Sequence, residues 1–247
     1  MKRFLIPISL FIVCAAASAV SIVAKVAENS KASELEGVKN ITIADFDEIE
    51  TAFVDINLVA DMPADEARLA APEDMIDKIE VRVDDRTLKV SYKNKRKADL
   101  RNNEQPTLTI GLRSIKSIEA SNAATVKAAS LPYVDELEIE TSTAAAVDID
   151  SVKVRKAEFD AQTAATIKIG NISSDSLEAE ASTAATIKID TGKTAVADFT
   201  ASTAATIIAK GVKANSGHAS ATTAGTVRCS IKNASVSSNT GGSVSNN

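Results

Sequence analysis

Residues 161–169, 181–189 and 201–209 read AQTAATIKI, ASTAATIKI and ASTAATIIA, so one phrase returns at a fixed interval along the chain. Related phrases begin at Ala120, Thr141 and Ala221. One place in the phrase is held in turn by Thr125, Ala146, Thr166, Thr186, Thr206 and Thr226; the first step is one residue longer than the later steps, which are all equal. A short period kept over many copies is typical of solenoids, whose repeats contact only their neighbours.

Apolar and polar residues alternate on both sides of the small-residue segment. Ile167-Lys168-Ile169 follows it in one copy, and Leu177-Glu178-Ala179-Glu180 precedes it in the next. A period of two predicts strands with one buried face. The sequence therefore predicts an all-β fold, a single-stranded β-helix (β-solenoid) with about 20 residues per coil.

Stacked coils place equivalent residues about 4.8 Å apart, so every position of the repeat becomes a row along the stack. Isoleucine and valine rows are expected to fill the interior, with a third apolar row at Leu131, Val152, Ile172 and Val212. Paired alanines such as Ala184-Ala185 suit a tight corner, where larger side chains would collide. Threonines form two further rows, whose hydroxyls can bond along the stack: Thr163, Thr183, Thr203, Thr223 and Thr166, Thr186, Thr206, Thr226.

Residues 38–118 form a less regular β-rich region that precedes the repeats at 119–235. Strands are predicted at 41–43, 54–58, 79–83, 88–92 and 108–112, with a hairpin turn at 84–86 and one short helix at 72–78. Residues 93–106 are polar and are predicted to form a loop. Residues 236–247 are rich in Ser, Asn and Gly, and they are predicted to be a disordered tail. The irregular region is expected to cap one end of the solenoid.

Residues 1–19 have the pattern of a signal peptide. Met1-Lys2-Arg3 is basic, the next residues are apolar, and Ala17-Ser18-Ala19 matches an A-x-A cleavage site. Residues 20–37 then form a linker. An uncleaved membrane anchor over residues 4–24 is the alternative interpretation. Either way the protein is predicted to be exported, to the periplasm, the outer-membrane surface or the extracellular space. Its membrane contact is expected through this segment alone.

The order of the segments resembles a known family. Residues 43–49 (IADFDEI) precede 55–58 (DINL), then 72–79 (PEDMIDKI), 84–90 (DDRTLKV), 108–110 (LTI) and the small-residue repeats. This order is similar to the DUF2807 family, the auto-transporter adhesin head or GIN domain, over about residues 38–235. The resemblance implies a right-handed β-helix in the bacterial envelope. Corners in that family read Gly-Ser-Gly-Asp, whereas this chain has Ser-Thr-Ala-Ala-Thr at 182–186.

Composition narrows the classes of function. The net charge is -5 over 247 residues, and no basic stripe favours nucleic acid as a partner. Aromatic residues are 3% of the chain and Trp is absent, which counts against base-stacking and sugar-stacking platforms. No motif indicates a cofactor, so none is expected. Only Cys229 follows the predicted cleavage site, and it takes the row of Ile169 and Ile189, as a small buried hydrophobe would.

Acidic residues form the one row that could attract metal ions: Glu138, Glu158, Glu178 and Asp198, beside Glu140, Asp160 and Glu180. Stacked carboxylates repel one another, so such a row either lowers stability or recruits a cation such as Ca²⁺. The alternative is a solvated acidic face that neighbouring lysines partly neutralise. No calcium-loop motif is present, which favours the solvated face.

His218, the single histidine, follows Asp198 by one repeat on an outward position. No local partners complete a catalytic triad or a metal site around it, so no catalytic residue is predicted. Lys127, Lys168, Lys188 and Arg228 are interrupted by Asp148 and Ile208, which indicates a solubility face.

The sequence thus favours a non-enzymatic envelope or cell-surface protein, a structural or adhesin-like module whose partner is a protein or a glycan. Exposed strand edges also allow self-association at the ends of the solenoid. One alternative is a carbohydrate-active β-helix enzyme similar to lyases, which needs long loops and aromatic platforms. The other is an ice-binding surface made of threonine rows, which needs both rows on one face.

Overall fold

The computed structural model describes residues 37–94 and 105–247, and these residues contain strands joined in one sheet. The signal peptide, almost all of the 20–37 linker and most of the 93–106 loop lie outside the described residues. The described residues belong to one compact unit. None of their helical segments is long and apolar enough to cross a bilayer.

The strands of the irregular region come first in the chain: β1 (Gly37–Thr42), β2 (Glu48–Ala52), β3 (Asp55–Val59), β4 (Glu66–Ala71), β5 (Ile79–Asp84), β6 (Thr87–Tyr92) and β7 (Thr107–Gly111). The repeats follow as β8 (Ser117–Ser121), β9 (Thr125–Ser130), β10 (Val134–Thr141), β11 (Ala146–Ala161), β12 (Thr166–Ser173), β13 (Ser176–Ala181), β14 (Thr186–Ala201), β15 (Thr206–Ile208), β16 (Val212–Ala221), β17 (Thr226–Cys229), β18 (Ile231–Ser238) and β19 (Ser243–Asn246).

The repeats stack in parallel, as predicted. After the corner, Thr125 pairs with Ala146, and the same row continues through Thr166, Thr186 and Thr206 to Thr226. Before the corner, a second series of parallel pairs runs from β8 through β10, β11, β13, β14 and β16 to β18. The predicted β-solenoid is therefore confirmed, and one period of the sequence repeat corresponds to one coil.

The interior consists of apolar rows. Val147, Ile167, Ile187 and Ile207 are fully buried in one row, and the third apolar row, from Leu131 to Val212, is buried as well. Cys229 is buried too, and burial raises the pKa of its thiol. Burial of apolar surface stabilises a folded protein by about 25 cal/mol per Å². These buried rows are therefore the main contribution to the stability of the solenoid.

Two neighbouring rows before the corner exchange large and small side chains. One coil carries Ala157 with Phe159, the next carries Leu177 with Ala179, and the third carries Ala197 with Phe199. All six are buried. Each of these coils thus contributes one bulky side chain, and the bulk changes row from coil to coil, so the interior fills without collision.

Each repeat corner is a tight turn with an unusual backbone. In Ser182–Ala185 the two central residues, Thr183 and Ala184, have φ of 52° and 62°. The Ala185 amide donates to the Ser182 carbonyl (3.1 Å), and the Ala184 amide donates to the Thr203 carbonyl of the next coil (3.0 Å). Positive φ at both centres is the geometry of a type I′ turn, which normally selects Gly or Asn. Here hydrogen bonds between coils hold Thr and Ala in that conformation.

The irregular region caps one end of the stack. The coils in this region do not stack in the order in which they follow one another along the sequence. The coil made by β2 and β3 lies between the coil of β6 and β7 on one side and that of β8 and β9 on the other. Antiparallel pairs of β1 with β4, β4 with β7, and β5 with β6 close this end. The predicted hairpin turn is present, with positive φ at Asp85 and Arg86.

One prediction about local structure held over a shorter span, and one was wrong. The short helix predicted at 72–78 is present only as a single-turn 3₁₀ helix, Ile76–Lys78. Residues 236–247 are not a disordered tail: β18 runs to Ser238 and β19 pairs with β17. The Asn239–Gly242 turn, closed by the Gly242 amide on the Asn239 carbonyl (2.9 Å), adds another corner. Backbone hydrogen bonds to the coil below order this segment despite its polar composition.

Candidate functional site

The predicted acidic row lies along one face of the solenoid. Glu138, Glu158, Glu178 and Asp198 occupy consecutive coils in register. The neighbouring row of Glu140, Asp160 and Glu180 extends further than the repeats indicated, because Glu119 and Glu50 continue it toward the cap. The structure thus places the sequence-predicted acidic residues on a single surface, which we call the acidic face.

The carboxylates of the acidic face repel one another. Burial, followed by the charges of Glu138, Glu119 and Asp160, raises the pKa of the Glu140 carboxyl above its ordinary value. Basic residues relieve the repulsion at two places, where Lys156 contacts Glu158 and Lys89 lies 3.4 Å from Glu50. In the part of the chain that the structure describes, no three carboxylate, histidine or cysteine side chains converge as metal ligands would. Cation binding by this row stays a prediction.

A second charged cluster, which sequence analysis missed, joins the cap to the first repeat. Asp47 is almost buried and accepts hydrogen bonds from Lys116 Nζ (2.7 Å) and Arg86 Nε (3.2 Å). The hydrogen bond from Lys116, together with Arg86, lowers the pKa of Asp47 despite its burial. The cluster ties together three segments distant in sequence, so its role is structural.

Arg113 belongs to the same junction and is also buried, with a side chain 7% exposed. Its guanidinium carbon lies 3.9 Å from the centre of the Phe46 ring, and its Nη1 lies 3.7 Å from Asp45 Oδ1. Burial lowers the pKa of Arg113. The face of Phe46 compensates for two guanidinium nitrogens, Nε and Nη2, that make no hydrogen bond with the described residues.

His218 stands beside Asp198, as the repeat predicted, but the contact is made by its backbone. The His218 amide donates to Asp198 Oδ1 (2.9 Å). A triad would instead need the imidazole ring oriented by the carboxylate. The pair therefore resembles a row contact between coils rather than an acid–base site.

The threonine rows lie on different parts of the coil. Thr163, Thr183, Thr203 and Thr223 are exposed at the tips of the corners, whereas Thr166, Thr186, Thr206 and Thr226 lie on the strands that follow. The strand row has charged neighbours two residues on, including Lys168, which is 3.2 Å from Asp148. This arrangement lacks the single flat hydroxyl face that the ice-binding alternative requires.

A groove on the remaining side of the coils is another feature that sequence analysis missed. It has a volume of about 540 Å³, and its lining includes Tyr133, Lys153, Arg155, Lys193 and Lys213. Lys153, Ser173, Lys193 and Lys213 form one row in register. Their constant spacing was visible in the sequence, but this segment of the repeat varies too much in its other positions to attract notice.

Several solved structures share the fold of this chain. No curated protein matches the chain. Among solved structures, a "putative adhesin" from Parabacteroides merdae ATCC 43184 is 19% identical, with a TM-score of 0.70 over 85% of this chain and 95% of its own. A "putative lipid binding protein" from Parabacteroides distasonis ATCC 8503 is 18% identical, with a TM-score of 0.73 over 85% and 96%. At such identities the likeness shows the fold alone, a capped β-solenoid.

The family follows from the sequence itself. The DUF2807 profile, described as "Putative auto-transporter adhesin, head GIN domain", matches residues 45–246. The chain belongs to this family, and the resemblance noted in the sequence is confirmed. The match also includes the end of β18 and all of β19, whereas sequence analysis had ended the domain at residue 235.

Proposed function

We propose that this chain is an exported, non-enzymatic module of the bacterial cell envelope, which binds a glycan or protein partner through the side faces of its solenoid. The observation that carries the proposal is the in-register stacking of the coils, which repeats outward side chains in straight rows. Rows of this kind offer many equivalent weak contacts to an extended partner, and weak contacts made together give strong attachment. Membership of an adhesin-like family supports the same conclusion.

Further features support binding over catalysis. The carboxylates of the acidic face run parallel at the spacing between strands, and His218 meets Asp198 through its amide rather than its ring. The signal-peptide pattern at residues 1–19 supports export to the periplasm, the outer-membrane surface or the extracellular space. Nucleic acid is not among the proposed partners, because the acidic face would repel it.

Cell fractionation tests the location. Antibody against the repeats should detect the protein in the envelope or culture fraction of its own organism, with residues 1–19 absent from the purified protein by mass spectrometry. A protein found wholly in the cytoplasm with Met1 retained would contradict the proposal.

The lyase alternative is tested separately. The purified protein is incubated with anionic polysaccharides and the ultraviolet absorbance of unsaturated sugar ends is followed over time. We expect no increase above that of a heat-denatured sample. Sustained formation of unsaturated ends would assign an enzymatic function instead.

A further inference from the structure

The groove on the third side of the coils is lined by basic residues, although the protein as a whole is acidic. The chain as a whole carries 28 basic and 33 acidic residues, yet Lys153, Lys193 and Lys213 line this one groove together with Arg155. All four are exposed. Among the described residues, Lys153 and Lys193 form no ion pair, and Lys213 Nζ donates only to the Ser230 hydroxyl (3.1 Å). The charges of the three lysines are therefore available to a ligand, whereas Arg155 Nη2 pairs with Glu136 Oε1 (2.7 Å).

Register sets the spacing of these charges. Ser173 lies between Lys153 and Lys193 in the row, so the two lysines are separated by two coil steps, about 10 Å along the stack. Since Ser173 is small, it leaves a gap between them. A linear ligand lying along the solenoid axis would meet one ammonium group at each side of this gap.

The floor of the groove is polar but uncharged. Ser173, Ser174 and Thr194 line it, and Ser174 Oγ donates to Thr194 Oγ1 (3.1 Å), which in turn donates to the Val196 carbonyl (2.9 Å). Hydroxyl groups held in place in this way can exchange hydrogen bonds with the hydroxyls of a sugar. Asp175 on the rim adds a negative charge, which disfavours a densely charged ligand such as a polyphosphate.

An aromatic ring stands at the edge of the groove. Tyr133 is 55% exposed, and its hydroxyl donates to Asp135 Oδ1 (3.0 Å). An exposed ring whose hydroxyl is fixed by a hydrogen bond presents an apolar face to solvent, and such a face packs well on the C–H side of a sugar ring. The other large hydrophobic side chains exposed in the described part of the chain are valines.

We propose that this groove binds an acidic polysaccharide, a chain of sugars that carry carboxylates. The lysine row pairs with the carboxylates, the serine and threonine floor bonds the hydroxyls, and Tyr133 packs on a ring. The inference deepens the proposed function by naming the class of glycan and rests on it. The acidic face disfavours the same ligand on its own side of the solenoid.

Binding to oligogalacturonate of defined length, measured by titration calorimetry, tests the groove. We expect binding that weakens with added salt, and little binding of a neutral oligosaccharide of equal length. The double variant Lys153→Gln/Lys193→Gln should bind about ten-fold more weakly, because it removes two ammonium groups from exposed ion pairs with the ligand. Tyr133→Ala should also weaken binding of oligogalacturonate, because it removes the ring that packs on a sugar.

The matched control is Lys168→Gln/Lys188→Gln, which changes the net charge equally on another face, where both lysines pair with aspartates. It should bind as the unaltered protein does. Equal loss in the two double variants would overturn the inference by showing general charge attraction. Tighter binding to vesicles of anionic phospholipid than to oligogalacturonate would assign the groove to a membrane surface and overturn it too.

The two proposals fail in different ways. Unchanged affinity of Lys153→Gln/Lys193→Gln would remove the groove as the site and leave the envelope function standing. A cytoplasmic location or the appearance of unsaturated sugar ends would remove the proposed function, even if the groove bound its ligand as expected.

Discussion

At the scale of single residues, the corners are where this chain departs from the usual rules. Thr and Ala adopt positive φ in five successive repeats, from Thr143-Ala144 to Thr223-Ala224. A left-handed conformation costs an L-residue about 1–2 kcal/mol, and a β-branched residue such as Thr is rarely found there. The bond from each alanine amide to the carbonyl of the next corner, for example Ala164 to Thr183 (3.0 Å), offsets this cost.

Glycine should therefore stabilise one corner position and destabilise its neighbour. Ala184→Gly relieves the strained φ and should raise the free energy of unfolding by about 0.5–1 kcal/mol, the strain relieved less the added flexibility of the unfolded chain. Ala185→Gly, at an unstrained and buried position, should lower it by about 1–2 kcal/mol, since it also loses a buried methyl group. Urea denaturation of both variants measures the difference, and equal effects would refute the role of strain.

The pKa values of Glu140 and Asp47 are shifted in opposite directions, which predicts opposite effects of pH on stability. The pKa of Glu140 is raised, so its contribution to stability is largest below the pKa of an unfolded glutamate and is lost as pH rises through the folded value. Glu140→Gln should consequently stabilise the protein near pH 7 by about 0.2–1 kcal/mol, by removing like-charge repulsion. Thermal melting at pH 7 and at pH 3.5 measures this, and the gain should shrink at the lower pH.

Asp47→Asn should change stability in the opposite direction to Glu140→Gln. The pKa of Asp47 is lowered, so its contribution is present above the pKa of an unfolded aspartate and is lost as pH falls through the folded value. The variant should be destabilised near pH 7 by about 1–3 kcal/mol, because Lys116 and Arg86 lose a charged partner. A destabilisation that persists undiminished in strong acid would show that packing rather than charge is responsible.

At the scale of the elements, the alternating bulk of β11, β13 and β14 decides how the coils pack. In the coil of β13, Leu177 is the only large side chain in these two rows, because Ala179 in the other row is small. Neighbouring coils place Phe159 and Phe199 over that alanine. Strands with the same polar pattern but with bulk in a single row would leave voids in one row and collisions in the other.

Leu177→Ala should lower the free energy of unfolding by about 2–5 kcal/mol, because it leaves a cavity in a coil that has no other large side chain in these rows. Adding Ala179→Phe restores volume but stacks three phenylalanines in one row. We expect the double variant to recover less than half of the loss, measured by chemical denaturation. Full recovery would show that total volume matters and the alternation does not.

At the scale of the whole molecule, the two ends of the solenoid differ. The cap closes one end with antiparallel strands, whereas β18 and β19 leave an edge on the other. Val236 continues the row of Phe199 and Ala219 but is 51% exposed there. Asn246 covers part of this end, since its side chain bonds to both the amide and the carbonyl of Ile231 (2.7 and 2.9 Å).

An open edge with an exposed apolar residue predicts end-to-end association of copies at high concentration. Val236→Lys should abolish such association, because a charge on an edge strand prevents pairing. Light scattering over a concentration series measures it, with Val38→Lys, at an exposed valine in the cap, as the control. Association that survives Val236→Lys and is lost in Val38→Lys would place the contact at the cap instead.

The period of the repeats determined most of what could be known from the sequence alone. Regular spacing fixed the coils, the buried rows and the placement of Glu138, Glu158, Glu178 and Asp198 along one face, because in-register stacking converts a period directly into neighbours in space. The family could also be recognised from the sequence, because its members share the same order of segments.

The tertiary structure alone decided the features that depend on pairs without a fixed spacing. Insertion of the β2–β3 coil between later strands, the contact of Arg113 with Phe46 and the ordering of residues 236–247 all join segments whose separation follows no period. The strand β4 was not predicted either, since its alanines have low strand propensity and its partners β1 and β7 hold it in the sheet. Backbone hydrogen bonds between coils do not depend on side-chain type, so no residue pattern predicts them.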